Sequence, residues 1–185
     1  MTMDQQTETE IIARILNGDR QAYALLVDDY KVPIYNLAFR MTGNYSDADD
    51  LTQEAFIKAY NNLWRFDRQR KFFSWLYTIS LNCIRNHLKK NKSGRVFGQT
   101  ENHQDTENEG KSPEAQIIAV QESGKIDFAL SALDSELRAL LIMKYAQDLS
   151  FEEIAEITGK SLSAVKMRIY RGLERLKGLM TEDPM

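Results

Sequence analysis

The chain has 185 residues, 43% of them hydrophobic and 28% charged, with a formal net charge of −3. That length allows one or two small domains, and the composition is that of a soluble globular protein rather than a disordered or membrane-spanning one. A single cysteine, Cys83, excludes an intrachain disulfide and fits a reducing cytoplasm, and the polar, acidic start MTMDQQTETE reads as neither a signal nor a transit peptide.

Helical periodicity begins near the N-terminus. Thr7 or Thr9 is placed to cap a short helix carrying Ile11, Ile12, Ile15 and Leu16, which Asn17-Gly18 ends. Asp19 suits the next cap, with Ala22, Tyr23, Leu26, Val27 and Tyr30 at helical spacing. Pro33 fits the first turn of a third helix through Tyr35, Leu37 and Phe39, stopped by Gly43. Ser46 or Asp47 starts a fourth, in which Leu51, Ala55 and Tyr60 lie near one face with Phe56, Ile57 and Leu63. The fifth is KFFSWLYTISLNCIRNHLKK, residues 71–90. Residues 93–112 then turn polar, with too little apolar surface to order themselves, and are expected to be a flexible linker. After Pro113, Ile117, Ile118, Val120, Ile126, Ala129, Leu130 and Leu133 mark a long helix, and Asp134 or Ser135 caps another with Leu137, Leu140, Leu141, Met143 and Tyr145. Ser150 and Glu153 have capping-box spacing, Gly159 fits a left-handed stop, and Ser161 caps a last helix with Leu162, Val165, Ile169, Leu173 and Leu176 inward. No segment alternates as a strand. The expected fold is all-α, with small helical domains over 1–92 and 113–185.

The modest net charge hides two basic islands. Residues 70–100 carry seven Lys/Arg and no acid, and residues 160–180 carry six Lys/Arg against one acid. Residues 101–122 reverse the balance, with six acids and one base. Local field decides contact with phosphates, so this pattern points to nucleic acid or to solvated helix faces.

The C-terminal island lies on a short helix, a glycine turn and a longer helix, the pattern of a helix-turn-helix. Its second helix carries Lys166, Arg168, Tyr170, Arg171 and Arg175 outward, residue types that bond guanine edges or phosphates. An ordinary helical hairpin with a basic solvent face is the plainer alternative. In the fifth helix, Leu76, Ile79, Ser80, Cys83, Ile84 and Leu88 make an inward stripe, while Trp75, Thr78, Asn82, Arg85 and Lys89 lie opposite. Phe72, Phe73 and Tyr77 are expected in the core. Trp75 beside cations suits unpaired bases, because rings stack on bases while Lys and Arg follow the phosphates.

No cluster supports catalysis, and neither cofactor nor metal is expected. Cys83 and His87 share a helix face but lack a third ligand, so a packed pair is the expectation. The acids Asp47, Asp49, Asp50 and Glu54 suit a helix N-terminus or a basic partner.

Three stretches, DADDLTQEAFIKAY (47–60), FDRQRKFFSWLYTISLNCIRNHLKK (66–90) and LSFEEIAEITGKSLSAVKMRIYRGLERLK (149–177), together resemble the extracytoplasmic-function (group IV) sigma factors of bacterial RNA polymerase. The resemblance runs from about Asp19 to Lys177. It implies that residues 1–92 are sigma region two, which docks on core polymerase through Asp50, Gln53, Glu54 and Phe56. It also implies that the loop Asp67, Arg68, Arg70 and Lys71, with the helix bearing Trp75, Asn82, Arg85 and Lys89, reads the minus-ten element on the single-stranded non-template strand. A base extruded from the stack would enter a pocket made by that loop. Residues 113–185 would be sigma region four, reading the duplex minus-thirty-five element through Ser163, Lys166, Met167, Arg168, Tyr170, Arg171 and Arg175. The implied partners are core RNA polymerase, promoter DNA and an anti-sigma factor. The implied setting is a cytoplasmic stress or envelope response with no membrane insertion of the chain's own. Met167 and Tyr170 depart from common family residues, as does Lys89, where Arg is frequent. The alternative is a stand-alone helix-turn-helix regulator whose N-terminal domain senses or dimerises.

Overall fold

The computed structural model describes residues 3–91, 126 and 128–181, so the expected linker and most of the long helix after Pro113 lie outside the described residues. The N-terminal unit contains α1 (Gln5–Leu16), a 3-10 turn (Arg20–Ala22), α2 (Tyr23–Thr42), α3 (Tyr45–Asn62), a second 3-10 turn (Leu63–Arg65) and α4 (Phe72–Asn91). The C-terminal unit contains a helical stretch at 128–131, α5 (Ser135–Leu141), a π turn (Ile142–Ala146), α6 (Phe151–Thr158) and α7 (Leu162–Thr181). No strand occurs among the described residues.

Local chemistry explains most boundaries. Gly43 and Gly159 stop α2 and α6 at φ 68° and 65°, the left-handed region that costs a side chain dearly. Ser150 and Glu153 form the reciprocal capping box at the start of α6. Two starts differ from expectation. Asp4, rather than Thr7 or Thr9, caps α1 by accepting from the Gln6 and Thr7 N–H groups. Asn44 caps α3 one residue ahead of Tyr45 by accepting from Asp47 N–H at 2.9 Å. A third difference is larger: Pro33 starts nothing, and α2 runs through it. The ring forfeits one backbone bond at a cost of about 3 kcal/mol. The buried face spanning it, with Leu26, Tyr30, Ile34, Leu37, Ala38 and Met41, outweighs that cost.

In the N-terminal unit, α2 packs antiparallel on α3, whose fully buried Ala48, Ala55 and Ala59 let the helices approach closely. Phe72, Leu76 and Tyr77 of α4 close this core, with Tyr30 tilted against Phe72 at 5.8 Å between ring centroids. In the C-terminal unit, Ile154, Val165 and Ile169 pack with Leu140, Ile142 and Met143.

The two units meet along a polar seam. Lys71 Nζ lies 3.2 Å from Glu153 Oε1, and Ser74 Oγ donates to Glu156 Oε2 at 2.8 Å. Thr78 Oγ1 is 3.0 Å from the Ile157 carbonyl. Arg138 Nη1 donates to the Met41 carbonyl at 3.0 Å, and Gln147 Nε2 to the Pro33 carbonyl at 2.7 Å. Arg138 also reaches the carbonyls of Leu130, Ser131 and Leu133, so one buried guanidinium ties a turn of the C-terminal unit to the last turn of α2.

Candidate nucleic-acid and protein interfaces

The loop between Phe66 and Phe72 is exposed and self-braced. Asp67 Oδ1 accepts from Gln69 N–H at 3.0 Å and its carbonyl from Arg70 N–H at 3.0 Å. Arg68, Arg70 and Lys71 therefore stand at the surface on a turn that their own acid neighbour shapes. Helix α4 leaves this loop with three faces rather than two. Phe72, Phe73, Leu76, Tyr77 and Ile84 are buried as the periodicity predicts. Ser74 and Thr78 are covered by the C-terminal unit, so Thr78 is not on an open face. Asn82 and Lys89 are open, and Arg85 is half-buried. One Arg85 nitrogen, Nη2, is buried without an acceptor among the described residues.

Trp75 also departs from the outward placement. It is half-buried, tilted against Phe66 at 5.2 Å and Phe72 at 5.7 Å. The reason is the aromatic run itself: rings one helical turn apart collapse on each other before they meet solvent. Its free edge helps line an open cleft of about 320 Å³ with Lys58, Asn62, Arg65, Ile79, Asn82 and Cys83. The cleft couples an apolar wall with two amides and two cations, a combination suited to one base and its phosphate. It opens between the end of α3 and the middle of α4, not within loop 67–71. Asn62 and Arg65, the α3-end residues that furnish it, were not singled out from the sequence, because no short-range pattern places them opposite Asn82.

On α3 the predicted docking residues separate. Asp50, Gln53 and Glu54 are exposed. Phe56 is 6% exposed and edge-on to Tyr23 at 6.4 Å, with its carbonyl accepting the Tyr23 hydroxyl, so it is a core residue and not a contact. Ile57 and Tyr60, expected on the apolar face, stand instead on the solvent side with Gln53 and Trp64, because the core side of α3 is filled by Leu51, Ala55, Phe56 and Ala59; Trp64 is 67% exposed. Ile57, Tyr60 and Trp64 thus give the solvent side of α3 an exposed apolar row. Asp47 is engaged elsewhere, with His87 Nε2 3.2 Å from its carboxylate. Cys83 lies 3.6 Å from Lys58 Nζ, and burial raises its thiol pKa. Cys83 and His87 thus have separate partners, and the described residues contain no group of three or more metal-ligating side chains.

On α7 the outward row is Ser163, Met167, Tyr170, Arg171 and Glu174, with Met167 47% and Tyr170 56% exposed and Arg175 beside them. Lys166 leans over the Phe151 ring at 5.5 Å. Arg168 pairs with Glu136 across the helix surface, Nη1 to Oε2 at 2.8 Å, with its side chain still 43% exposed. Lys160 meets the same carboxylate at 2.7 Å, and the pair holds the Glu136 carboxyl below its ordinary pKa, Lys160 most of all. Arg168 therefore braces α7 on α5. No helix among the described residues is long and apolar enough to cross a membrane.

Comparison with known proteins matches the chain to two family profiles and to several relatives. The profile of Sigma-70 region 2 matches residues 26–94, and that of Sigma-70, region 4, matches residues 123–176. The ECF RNA polymerase sigma factor SigW of Bacillus subtilis is 37% identical over 174 residues, covering 90% of this chain and 92% of SigW. The ECF sigma-E factor of Escherichia coli K12 is 30% identical over 180 residues, covering 94% of each chain. Among solved structures, CnrH in complex with the cytosolic domain of CnrY superposes with a TM-score of 0.74 at 25% identity, covering 98% of this chain and all of CnrH. The sigma factor RpoE of Bartonella quintana, bound to the anti-sigma factor NepR, shares the fold with a TM-score of 0.65 at 23% identity, covering 90% of this chain and 99% of RpoE.

Proposed function

The chain belongs to the extracytoplasmic-function family of RNA polymerase sigma factors, and from that premise we propose how its parts divide the work of initiation. As a sigma factor it binds core RNA polymerase and directs transcription to a subset of promoters. The work is binding rather than turnover, and no step calls for a catalytic residue or cofactor. Residues 1–92 act as region two, 93–112 as the tether and 113–185 as region four. The chain acts in the cytoplasm in a stress or envelope response.

Polymerase docks on α3 through Asp50, Gln53 and Glu54 and the exposed row of Ile57, Tyr60 and Trp64. The non-template strand of the minus-ten element lies on loop 67–71 and the open face of α4. Arg68, Arg70, Lys71, Arg85 and Lys89 follow its phosphates, and one extruded base enters the cleft between Trp75 and Asn82, with Asp67 holding the loop in shape. Extrusion costs a few kcal/mol, which a fitted pocket offsets. Ser163, Lys166, Met167, Tyr170, Arg171 and Arg175 meet the duplex minus-thirty-five element, the Met167 and Tyr170 side chains suiting thymine methyls and Arg171 a guanine edge. Two weak sites on one tether gain affinity through effective concentration once both are held by polymerase. An anti-sigma factor that covers the docking and DNA faces keeps the chain idle.

The observation that carries this reading is the cleft walled by Trp75, Asn62 and Asn82 next to a cationic loop, in the same chain as an outward Met-Tyr-Arg row on a helix-turn-helix. A stand-alone regulator has no use for the first half. Run-off transcription on a pool of genomic promoters, with and without added core, tests it. Transcripts are expected only with core, and Trp75→Ala with Asn82→Ala should retain core binding while losing strand separation. Tight specific duplex binding without core, or unchanged melting in the double variant, refutes it.

A further inference from the structure

Helix α4 starts unlike its neighbours. Helices α1, α3, α5 and α6 are capped by Asp4, Asn44, Asp134 and Ser150, each just ahead of its helix. At α7, Ser161 Oγ accepts from Ala164 N–H, and α2 grows from a 3-10 turn capped by Asp19. The residue ahead of α4 is Lys71, whose side chain has donors only. The acceptor is imported from a distant helix. Glu8 Oε2 accepts the Phe72 N–H at 3.2 Å, and Glu8 Oε1 accepts the Tyr30 hydroxyl. Glu8 is 4% exposed, and the fully buried Tyr30 ring lies against Phe72 and Phe73 at 5.8 and 5.9 Å.

We infer that Glu8 of α1 is a positioning residue for promoter opening: it anchors the first amide of α4 from beneath and so fixes where loop 67–71 and Lys71 present their charge. The inference rests on the strand-binding role proposed above for that loop. A serine or aspartate at position 71 would cap α4 by the common route. It would also put an acceptor or a negative charge where a phosphate is to lie. The buried carboxylate satisfies the helix terminus and complements its dipole, while the surface keeps its cation. Burial raises the Glu8 carboxyl pKa, the two donors and Lys71 pull it down, and Asp29 adds to the rise. A group that is costly to bury is thus held by several partners at once. Helix α1 lies outside the stretch matched by the region 2 profile, so this role extends the strand-opening apparatus into a segment that otherwise reads as a packing helix.

The test separates binding from isomerisation. Lag times of abortive initiation, measured against the concentration of reconstituted holoenzyme on one linear promoter, yield both the initial binding constant and the rate of open-complex formation. Circular dichroism fixes a temperature at which every variant is folded. Glu8→Ala should slow isomerisation about tenfold, the size of a lost cap, with initial binding within about twofold. Glu8→Gln keeps a carbonyl acceptor for the Phe72 N–H and should recover most of the rate. Tyr30→Phe, which frees one carboxylate oxygen, should fall between, and it serves if the alanine variant does not fold. Unchanged isomerisation in Glu8→Ala, or in Tyr30→Phe when that variant stands in, makes Glu8 a packing residue and overturns the inference. So does a loss that Gln fails to restore. If the wild-type holoenzyme forms no open complex on any promoter of the pool, the proposed function itself fails, and the same assay shows it.

Discussion

Replacing Glu156 by alanine removes one bond from the seam between the units and nothing from either core. Ser74 is 2% exposed and donates to the Glu156 carboxylate at 2.8 Å, a charge-assisted bond. Glu156 itself is exposed, so solvent screening reduces its worth to about 1 kcal/mol. That is about a fivefold shift in the ratio of closed to open chain. If the open chain is the minor form and only it admits a single strand along α4, the apparent Kd for that strand falls by the same factor. The assay is fluorescence anisotropy of a labelled minus-ten non-template oligonucleotide with the free protein, paired with the radius of gyration from small-angle scattering. Glu156→Ala should bind about fivefold more tightly. Ser74→Ala breaks the same bond without altering charge and should open the chain by a similar amount, and the double variant should exceed neither single one greatly. Glu152→Ala removes an exposed carboxylate from the same helix and controls for net charge. Equal oligonucleotide affinity and an unchanged radius in Glu156→Ala and Ser74→Ala would refute the reasoning.

Arg138 is 7% exposed and donates to four backbone carbonyls, so Arg138→Met leaves several buried acceptors unpaired. Urea unfolding should show a loss of about 3 kcal/mol, with lysine a poor rescue because it lacks the planar fork. At the crossing of α5 and α7, a Cβ on Gly172 would sit 2.5 Å from Leu137 Cδ1. Gly172→Ala should therefore lower the melting temperature despite a helix-propensity gain of about 1 kcal/mol, and should raise it in a Leu137→Ala background. The Glu136 carboxyl is held below the ordinary carboxylate range, chiefly by Lys160. A depressed carboxylate contributes stability that is whole above its unfolded pKa and lost as acid titrates the folded one. The stability gap between wild type and Glu136→Gln should thus be full at neutral pH and close as the pH falls below about 4; a gap that is flat with pH would contradict the pairing.

What could be read from the residues was what acts over a few residues. Gly43, Gly159 and the Ser150–Glu153 box each act within one turn, and each ends or starts a helix as its chemistry dictates. Periodicity also told the buried side of α4 correctly for Phe72, Leu76, Tyr77 and Cys83. It reports how apolar a face is, not which neighbour covers it, and the departures share that cause. The ion partner of Arg168 was not legible because Glu136 is remote in sequence. Thr78 looked open because its cover belongs to the other unit. The family resemblance set Phe56 among the docking residues, whereas its place in the apolar repeat of α3 agrees with its burial beside Tyr23. Pro33 suits a helix start by its local chemistry, but a continuous buried face on both sides of it carries α2 through. The cleft is assembled from α3 and α4 side chains that only the tertiary fold brings together.

The seam sets what a free molecule can do with a chromosome. On the strand path proposed above, the contacts of Lys71, Ser74 and Thr78 with Glu153, Glu156 and the Ile157 carbonyl would take the place of a phosphate strand. Random DNA, present in vast excess, would then compete against a tethered carboxylate. Fewer molecules would then be held on the wrong sequence, and Asp50, Gln53 and Glu54 of α3, proposed above to meet polymerase, are exposed and take no part in the seam. The acidic first helix of the helix-turn-helix would thus act as a decoy as well as a scaffold for its neighbour α7.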